Sequence, residues 1–218
     1  MIFDIKAFCI ESGLDVEEIV EKISDQKRER EIIAKNVNDC LMYYKLLSPI
    51  RELSFSDEER AKYALYMSMA LDKNYIDKTD FEVLQPAIDY FENHGSATDK
   101  LRTFYYQGRI YFNIGESEKA MKCLVKSIDL GSKSNDLSTK ARNYNVQGLL
   151  YSQYYNWEKY VQCCLAAAQC YKSFNNTDAY VRMLCKASEG YVFIGNKEAV
   201  NKTLLESSHY WLLFFNIF

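Results

Sequence analysis

Residues 101–130, LRTFYYQGRIYFNIGESEKAMKCLVKSIDL, place small and large side chains at regular intervals. With Leu101 counted as position one, Gly108 stands at position eight and Ala120 at position twenty. Large side chains occupy positions four, eleven and twenty-four, which are Phe104, Tyr111 and Leu124. Small residues let two helix backbones approach, and large residues fill the space around the contact. The stretch therefore predicts a helical hairpin with its turn at Gly115.

The same layout recurs further along the chain, at Gly148 and again at Gly190. We take Gly108, Gly148 and Gly190 as equivalent points of helix contact, with Ala199 at the small site of the last repeat. Tyr160 stands where the first repeat has an alanine, which predicts either a wider helix crossing or a side chain directed into the next repeat. The residues predicted to pack within the repeats are Phe104, Gly108, Tyr111, Ala120, Tyr144, Gly148, Tyr151, Ala167, Gly190 and Phe193.

Local signals upstream of these repeats predict further helices. Ser56 and Glu59 have the spacing of a capping box before a helix. A second helix must hold Pro86 in its first turn and is expected to end at His94-Gly95, where glycine permits a left-handed residue. Apolar residues at three-and-four spacing between 16 and 47 predict one or two amphipathic helices.

The composition excludes several other classes of protein. Apolar residues make up 48% and charged residues 26% of the 218, which is ordinary for a globular protein. Two prolines and eight glycines are too few for the many turns of a β-protein. The net charge of −3 is spread along the chain and argues against nucleic acid as a partner. An all-α protein is expected.

The chain lacks the residue clusters that catalysis and metal binding require. Its seven cysteines form no CxxC pair, and His94 and His209 are the two histidines. We therefore expect no enzyme, no metal and no cofactor. Cysteines within apolar helical stretches indicate reduced thiols, and the first ten residues lack the apolar run of a secretory signal. A cytoplasmic location is expected, with a membrane-associated or periplasmic one as the alternative if the ends are truncated.

Four stretches make the chain resemble the long-repeat tetratricopeptide proteins common in Bacteroidetes. They are LSFSDEER at 53–60, DKNYID at 72–77, AIDYFENHG at 87–95 and YYQGRIY at 105–111, and the resemblance covers about residues 39–176. It implies a right-handed superhelical array of antiparallel helix hairpins, an α-solenoid. The repeats are expected at about 57–95, 100–132, 139–174 and 178–208 within an array spanning 51–209, after an N-terminal helical cap or degenerate repeat at 1–50. Repeats longer than the family's usual length imply helices longer by about one turn.

The resemblance also implies where a ligand would bind. In this family the first helix of each hairpin lines a concave groove, and the corresponding positions here include Leu184 and Ala187. The peptide-binding candidates are Arg102, Tyr105, Arg109, Phe112, Asn113, Arg142, Asn145, Gln153 and Tyr191. Arginine and tyrosine suit a peptide that carries carboxylates and apolar side chains. The expected function is a scaffold that binds a peptide or partner helix; the alternative is the sensor or regulatory region of a larger signalling or transcription-regulating protein.

The two ends of the chain have separate interpretations. Residues 5–23 resemble the first helices of a helix-turn-helix domain only in their turn, so a capping helical pair is favoured. Residues 210–218 are apolar except for Asn216 and are too few to cross a bilayer. This tail is interpreted as a terminal helix over the last repeat, as a homodimer contact, or as the first half of a truncated membrane helix, in that order. No membrane contact is expected unless the third interpretation holds.

Overall fold

A computed structural model describes residues 56–73 and 76–215, with side chains for 56–72 and 76–208. Throughout these ranges the regular structure is α-helical, without β-strands. The chain divides into two compact units, Met1–Gly95 and Ser96–Phe218. The expected array spanning 51–209 thus crosses a boundary between units. The predicted N-terminal cap and the side chains of the apolar tail lie outside the described residues.

The described part of the first unit contains two packed helices, α1 (Asp57–Lys73) and α2 (Gln85–Phe91). The predicted capping box is confirmed, because Ser56 N donates to Glu59 Oε2 at 2.8 Å and Glu59 N donates to Ser56 Oγ at 3.3 Å. Pro86 lies in the first turn of α2, also as predicted. Gly95 has the expected positive φ of 78°, but α2 ends at Phe91, so the helix is shorter than the sequence suggested.

The second unit contains three consecutive hairpins. Hairpin 1 consists of α3 (Ala97–Asn113) and α4 (Ser117–Leu130); hairpin 2 of α5 (Leu137–Gln153) and α6 (Trp157–Ser173); hairpin 3 of α7 (Thr177–Ile194) and α8 (Lys197–Phe215). The two helices of each hairpin pack together. Neighbouring hairpins also touch, since α5 contacts α3 and α4 while α7 contacts α6. We call α3, α5 and α7 the first helices and the other three the second helices.

The hairpins repeat at a constant interval along the chain. The first helices begin at Ala97, Leu137 and Thr177, and the second helices begin at Ser117, Trp157 and Lys197. We call this spacing the repeat register. The turn residues with positive φ follow it: Gly115 at 82°, Tyr155 at 57° and Gly195 at 80°.

The repeat register corrects one of the predicted equivalences. Gly108 and Gly148 do occupy equivalent positions, but the residue of hairpin 3 that corresponds to them is Ser188, which is buried. The predicted register, which used Gly190, was wrong by two residues.

The three glycines make different contacts. A Cβ on Gly108 would lie 2.8 Å from Leu124 Cγ, so α3 and α4 touch there as predicted. A Cβ on Gly148 would lie 3.4 Å from Cys163 Cβ, which is an ordinary contact distance. A Cβ on Gly190 would meet Val161 Cγ2 at 2.5 Å, so this glycine admits α6 of the preceding hairpin. The expectation that it pressed against its own partner helix was wrong, because a small residue also serves contacts between hairpins.

Tyr160 fulfils both alternatives that the sequence left open. Its ring lies beside Gly148, where the two helices of hairpin 2 are farther apart than those of hairpin 1. Its Cδ1 is also 2.8 Å from a Cβ placed on Gly190, and its hydroxyl donates to Glu189 Oε2 at 3.3 Å. The tyrosine therefore spaces one hairpin and contacts the next.

Buried polar groups join the helices at two places. Ser127 Oγ of α4 donates to the carbonyl of Leu101 in α3 at 2.6 Å. Asn143 Nδ2 of α5 donates to the carbonyl of Leu124 at 3.1 Å, and Gln147 Nε2 donates to Asn143 Oδ1 at 2.7 Å. Buried polar groups need such partners, so these bonds define how α5 meets α4. None of the helices in the described ranges has the length and apolar character needed to cross a membrane.

Candidate interaction surface

Equivalent positions on the three first helices hold arginine. Arg102, Arg142 and Arg182 correspond to one another in the repeat register. The sequence predicted the first two and missed the third, because the misplaced register put Leu184 at this position. Leu184 is buried in the core of hairpins 2 and 3, whereas Arg182 is exposed.

Arg102 holds α3 against the start of α5. Its Nε donates to Asp136 Oδ2 at 2.7 Å, and the same carboxylate accepts from Thr139 N at 3.0 Å. Burial of Asp136 acts to raise its pKa, but the hydrogen bonds from Thr139 and the pairing with Arg102 outweigh this, so the pKa lies below its usual value. Arg102 is thus already used within the fold, between two hairpins.

Arg142 lies over two aromatic rings of α3. Its guanidinium carbon is 5.3 Å from the centroid of the Tyr105 ring and 5.9 Å from that of Tyr106. Tyr105 is only 2% exposed, so the expectation that its side chain lines an open surface was wrong. The neighbouring first helix covers it. Burial raises the pKa of the Tyr171 phenol on α6, and the charges of Arg142 and Arg182 act in the opposite direction.

The remaining binding candidates occupy varied environments. Asn145 Oδ1 accepts from Lys186 Nζ at 2.9 Å, which links α5 to α7. Gln153 is exposed, and its Oε1 lies 3.5 Å from Ser117 Oγ of hairpin 1. Tyr191 packs against the core around Tyr160 and is equivalent to Tyr111 and Tyr151, so it occupies a packing position. Three further candidates are half-buried on α3: Arg109, Phe112 and Asn113.

Exposed aromatic residues cluster where hairpins 2 and 3 turn. Phe193, expected in the core, is 58% exposed and stacks on Trp157, with ring centroids 4.1 Å apart and planes at 10°. Tyr155 approaches the edge of Trp157 at 6.2 Å, and Val192 is exposed beside Phe193. In the repeat register, Phe193 is equivalent to Asn113 and Gln153, two of the predicted groove residues. The correct repeat register would therefore have predicted that Phe193 lies at the surface.

The other packing residues lie inside the hairpins. Phe104, Ala120 and Ala167 are buried. Tyr111, Tyr144 and Tyr151 are half-buried.

The thiols differ from one another in exposure. Burial raises the pKa of Cys163 to about 11 and that of Cys164 to about 12, so both stay protonated at neutral pH. Cys185 on α7 is exposed, which differs from the predicted burial. Cys9 and Cys40 lie outside the described residues.

The helix α7 thus presents two kinds of recognition chemistry. Arg182 lies near its start, and Val192 and Phe193 lie near its end. The helical path from Arg182 to Phe193 spans about 16 Å at the rise of an α-helix. A ligand that contacts both would combine an acidic group with an apolar one. No protein-family model matches the chain and no similar curated protein is found, so membership of the tetratricopeptide family stays a prediction from the chain's own repeats.

Proposed function

We propose that the chain is a protein-interaction scaffold of the tetratricopeptide type, which binds a peptide or a partner helix along its first helices. The observation that carries this proposal is an aromatic cluster in which the exposed Tyr155 and Phe193 contact the half-buried Trp157. In it, a phenylalanine 58% exposed to solvent is held in place by a stacked tryptophan. Protein interfaces are enriched in such residues, and their binding energy is concentrated in a few aromatic and arginine side chains.

The stacking of the hairpins supports the superhelical part of the proposal. Evenly spaced copies of one hairpin that rotate by a similar step generate a superhelix, and the contacts of α5 with α3 and α4 and of α7 with α6 are compatible with one. The first helices then lie side by side. In this arrangement the arginine positions form one row, and the positions of Asn113, Gln153 and Phe193 form a second row.

The two rows of residues favour a ligand that carries both an acidic and an apolar side chain. Arg182 is exposed and available to pair with a carboxylate, for which a guanidinium is well shaped. Phe193 and Val192 offer an apolar contact about 16 Å away along α7. We therefore expect a peptide with an aromatic or aliphatic anchor and an acidic residue. The buried thiols Cys163 and Cys164 suit a reducing compartment, and the proposal places the scaffold in the cytoplasm.

A peptide array tests this function. The probes are short synthetic peptides, long enough to cover α7, in which one Phe or Leu and one Glu are separated by varied distances. Peptides that bind the wild type are then titrated by fluorescence anisotropy against Phe193→Ala and Arg182→Glu. We expect each substitution to weaken binding by about tenfold or more, the loss that truncation of a central interface residue produces.

Two exposed positions away from this surface provide matched controls. Val125→Ala on α4 removes an exposed apolar side chain, and Lys133→Glu reverses an exposed charge. Both should bind as the wild type does. Absence of any bound peptide, or equal affinity of Phe193→Ala and wild type, would contradict the proposal. Arg102 and Arg142 are poor test positions, because each holds two first helices together.

A further inference from the structure

Helix α8 exposes an apolar side chain, Leu204, at a position where its equivalents are buried. Leu204 is 46% exposed, whereas the equivalent Leu124 of α4 and Cys164 of α6 are 0% and 1% exposed. Leu205, the next residue, is 70% exposed. One position of the repeat is therefore covered in hairpins 1 and 2 and open in hairpin 3.

The next hairpin contributes to the cover in the two earlier cases, and Leu124 also packs against Gly108 of its own hairpin. Asn143 of α5 bonds to the carbonyl of Leu124, and Ala187 of α7 packs in one core cluster with Cys164. Each second helix is thus closed by a first helix that follows it. α8 continues as one helix to Phe215, so residues 209–215 extend the helix and do not fold back over Leu204. The open face of α8 lies on the second helix of its hairpin, and both earlier second helices contact the first helix that follows them.

Four of the exposed residues of α8 form a self-complementary stripe. Asn201, Leu204, Leu205 and Ser208 are all exposed and follow the three-and-four spacing of one helix face. If two copies of α8 pack antiparallel around a two-fold axis between residues 204 and 205, Leu204 of each meets Leu205 of the other. Asn201 then meets Ser208. At these four positions the pairing joins apolar to apolar and polar to polar residues, and the exposed Lys197 and Glu198 lie on the same face one turn before Asn201.

We propose that the open face of hairpin 3 is the interface of a homodimer, in which α8 of a second copy packs antiparallel on Leu204 and Leu205. The apolar burial that stacking provides within the chain is then completed between chains. In sequence, Trp211, Leu212 and Phe215 continue the same spacing. The interface lies on α8 and is separate from the peptide surface proposed for α7, so either proposal can fail without the other.

The mass in solution tests the dimer. Light scattering coupled to size-exclusion chromatography, with the chain at up to about 0.1 mM, should give twice the 25.5 kDa of one copy. Leu204→Glu and Leu205→Glu should each shift the chain to the single-copy mass, while circular dichroism stays unchanged because both side chains are exposed. Val125→Glu is the matched control, since Val125 is equivalent to Leu205 and is 42% exposed on α4.

Cross-linking tests the antiparallel arrangement. In a Cys185→Ser background, equal amounts of Asn201→Cys and Ser208→Cys chains are mixed and treated with a short bismaleimide. Mass spectrometry should find 201–208 links between chains in excess over 201–201 links. A wild type with single-copy mass at every concentration, a Leu204→Glu variant that still dimerises, or a predominance of 201–201 links would overturn the proposed interface.

Discussion

Gly108 shows how a single hydrogen atom in place of a side chain sets the distance between two helices. The nearest atoms to a Cβ at this position would be Leu124 Cγ at 2.8 Å and Cδ2 at 2.9 Å. Leu124 is fully buried, so it has little room to move aside. At Gly148 the corresponding distance is 3.4 Å, because Tyr160 already keeps the helices of hairpin 2 apart. Two glycines at the same register position therefore carry different constraints.

We expect Gly108→Ala to destabilise the chain and Gly148→Ala not to destabilise it. The first forces overlap with Leu124, which costs about 1–3 kcal/mol and outweighs the gain in helix propensity of about 1 kcal/mol. The second introduces no overlap and should be neutral or stabilise by up to about 1 kcal/mol. Urea unfolding followed by circular dichroism measures both. Equal destabilisation of the two variants would contradict the difference in helix spacing.

A comparison of two glycines also shows why one prediction of helix contact was wrong. Gly108 was identified correctly because a large residue at the right interval, Leu124, stands opposite it on the partner helix. Gly190 is equally small, but the side chain that packs against it is Val161 of the preceding hairpin. A small residue indicates a close contact with another helix, but it does not indicate which helix makes that contact.

At the scale of the element, each first helix begins at a side-chain cap. Ser96, Asp136 and Asn176 stand at equivalent positions of the repeat register and accept hydrogen bonds from the backbone N–H groups three residues further on. These caps satisfy N–H groups that have no partner within the helix. Asp136 differs from the other two because it also binds Arg102 of the preceding hairpin. The start of α5 is therefore fixed to α3.

We expect Asp136→Ala to destabilise the chain more than Asn176→Ala. Loss of a cap alone costs about 0.5–2 kcal/mol, and removal of Asp136 also leaves Arg102 without its carboxylate. Because the folded-state pKa of Asp136 is lowered, its contribution is complete above the unfolded value of about 4 and is lost as pH falls through the lower folded value. The stability difference between wild type and Asp136→Asn should shrink below about pH 4.

Urea unfolding at pH 7, 4 and 3 measures this dependence. Asn176→Ala is the control, since it removes a cap that has no carboxylate, and its effect should not vary with pH. A difference between wild type and Asp136→Asn that stayed constant down to pH 3 would show that the ionised carboxylate contributes nothing.

At the scale of the whole molecule, the second unit is a short stack of hairpins. Its helices make contacts within each hairpin and between consecutive hairpins, and in repeat proteins contacts of these two kinds provide the stability. Hairpin 2 has neighbours on both sides, whereas hairpin 3 has a described neighbour only on the side of α6. We therefore expect the free energy of unfolding of this unit to depend on the number of its hairpins.

We expect residues 96–218 to fold as an isolated fragment, because this compact unit contains all three hairpins and begins with the Ser96 cap. A shorter fragment, residues 136–218, lacks hairpin 1 and the contacts of α5 with α3 and α4. Its midpoint in urea should be clearly lower, since about three repeats are needed for a stable array. Circular dichroism checks the helix content of both. Equal midpoints would show that the hairpins are independent.

The sequence by itself determined the helical class, the cap at Ser56, the first-turn position of Pro86 and the packing inside hairpin 1. These features depend on residues a few positions apart or on one pair of facing helices, so spacing is enough to predict them. Only the tertiary structure decided which side chains are free to bind. Arg102 and Asp136, Arg142 and Tyr105, and Trp157 and Phe193 lie nearly one repeat apart in the sequence and meet through the stacking of hairpins. An error of two residues in a helix rotates every side chain by about 200°, to the opposite face. That rotation explains why Arg182 was missed and why Phe193 was placed in the core.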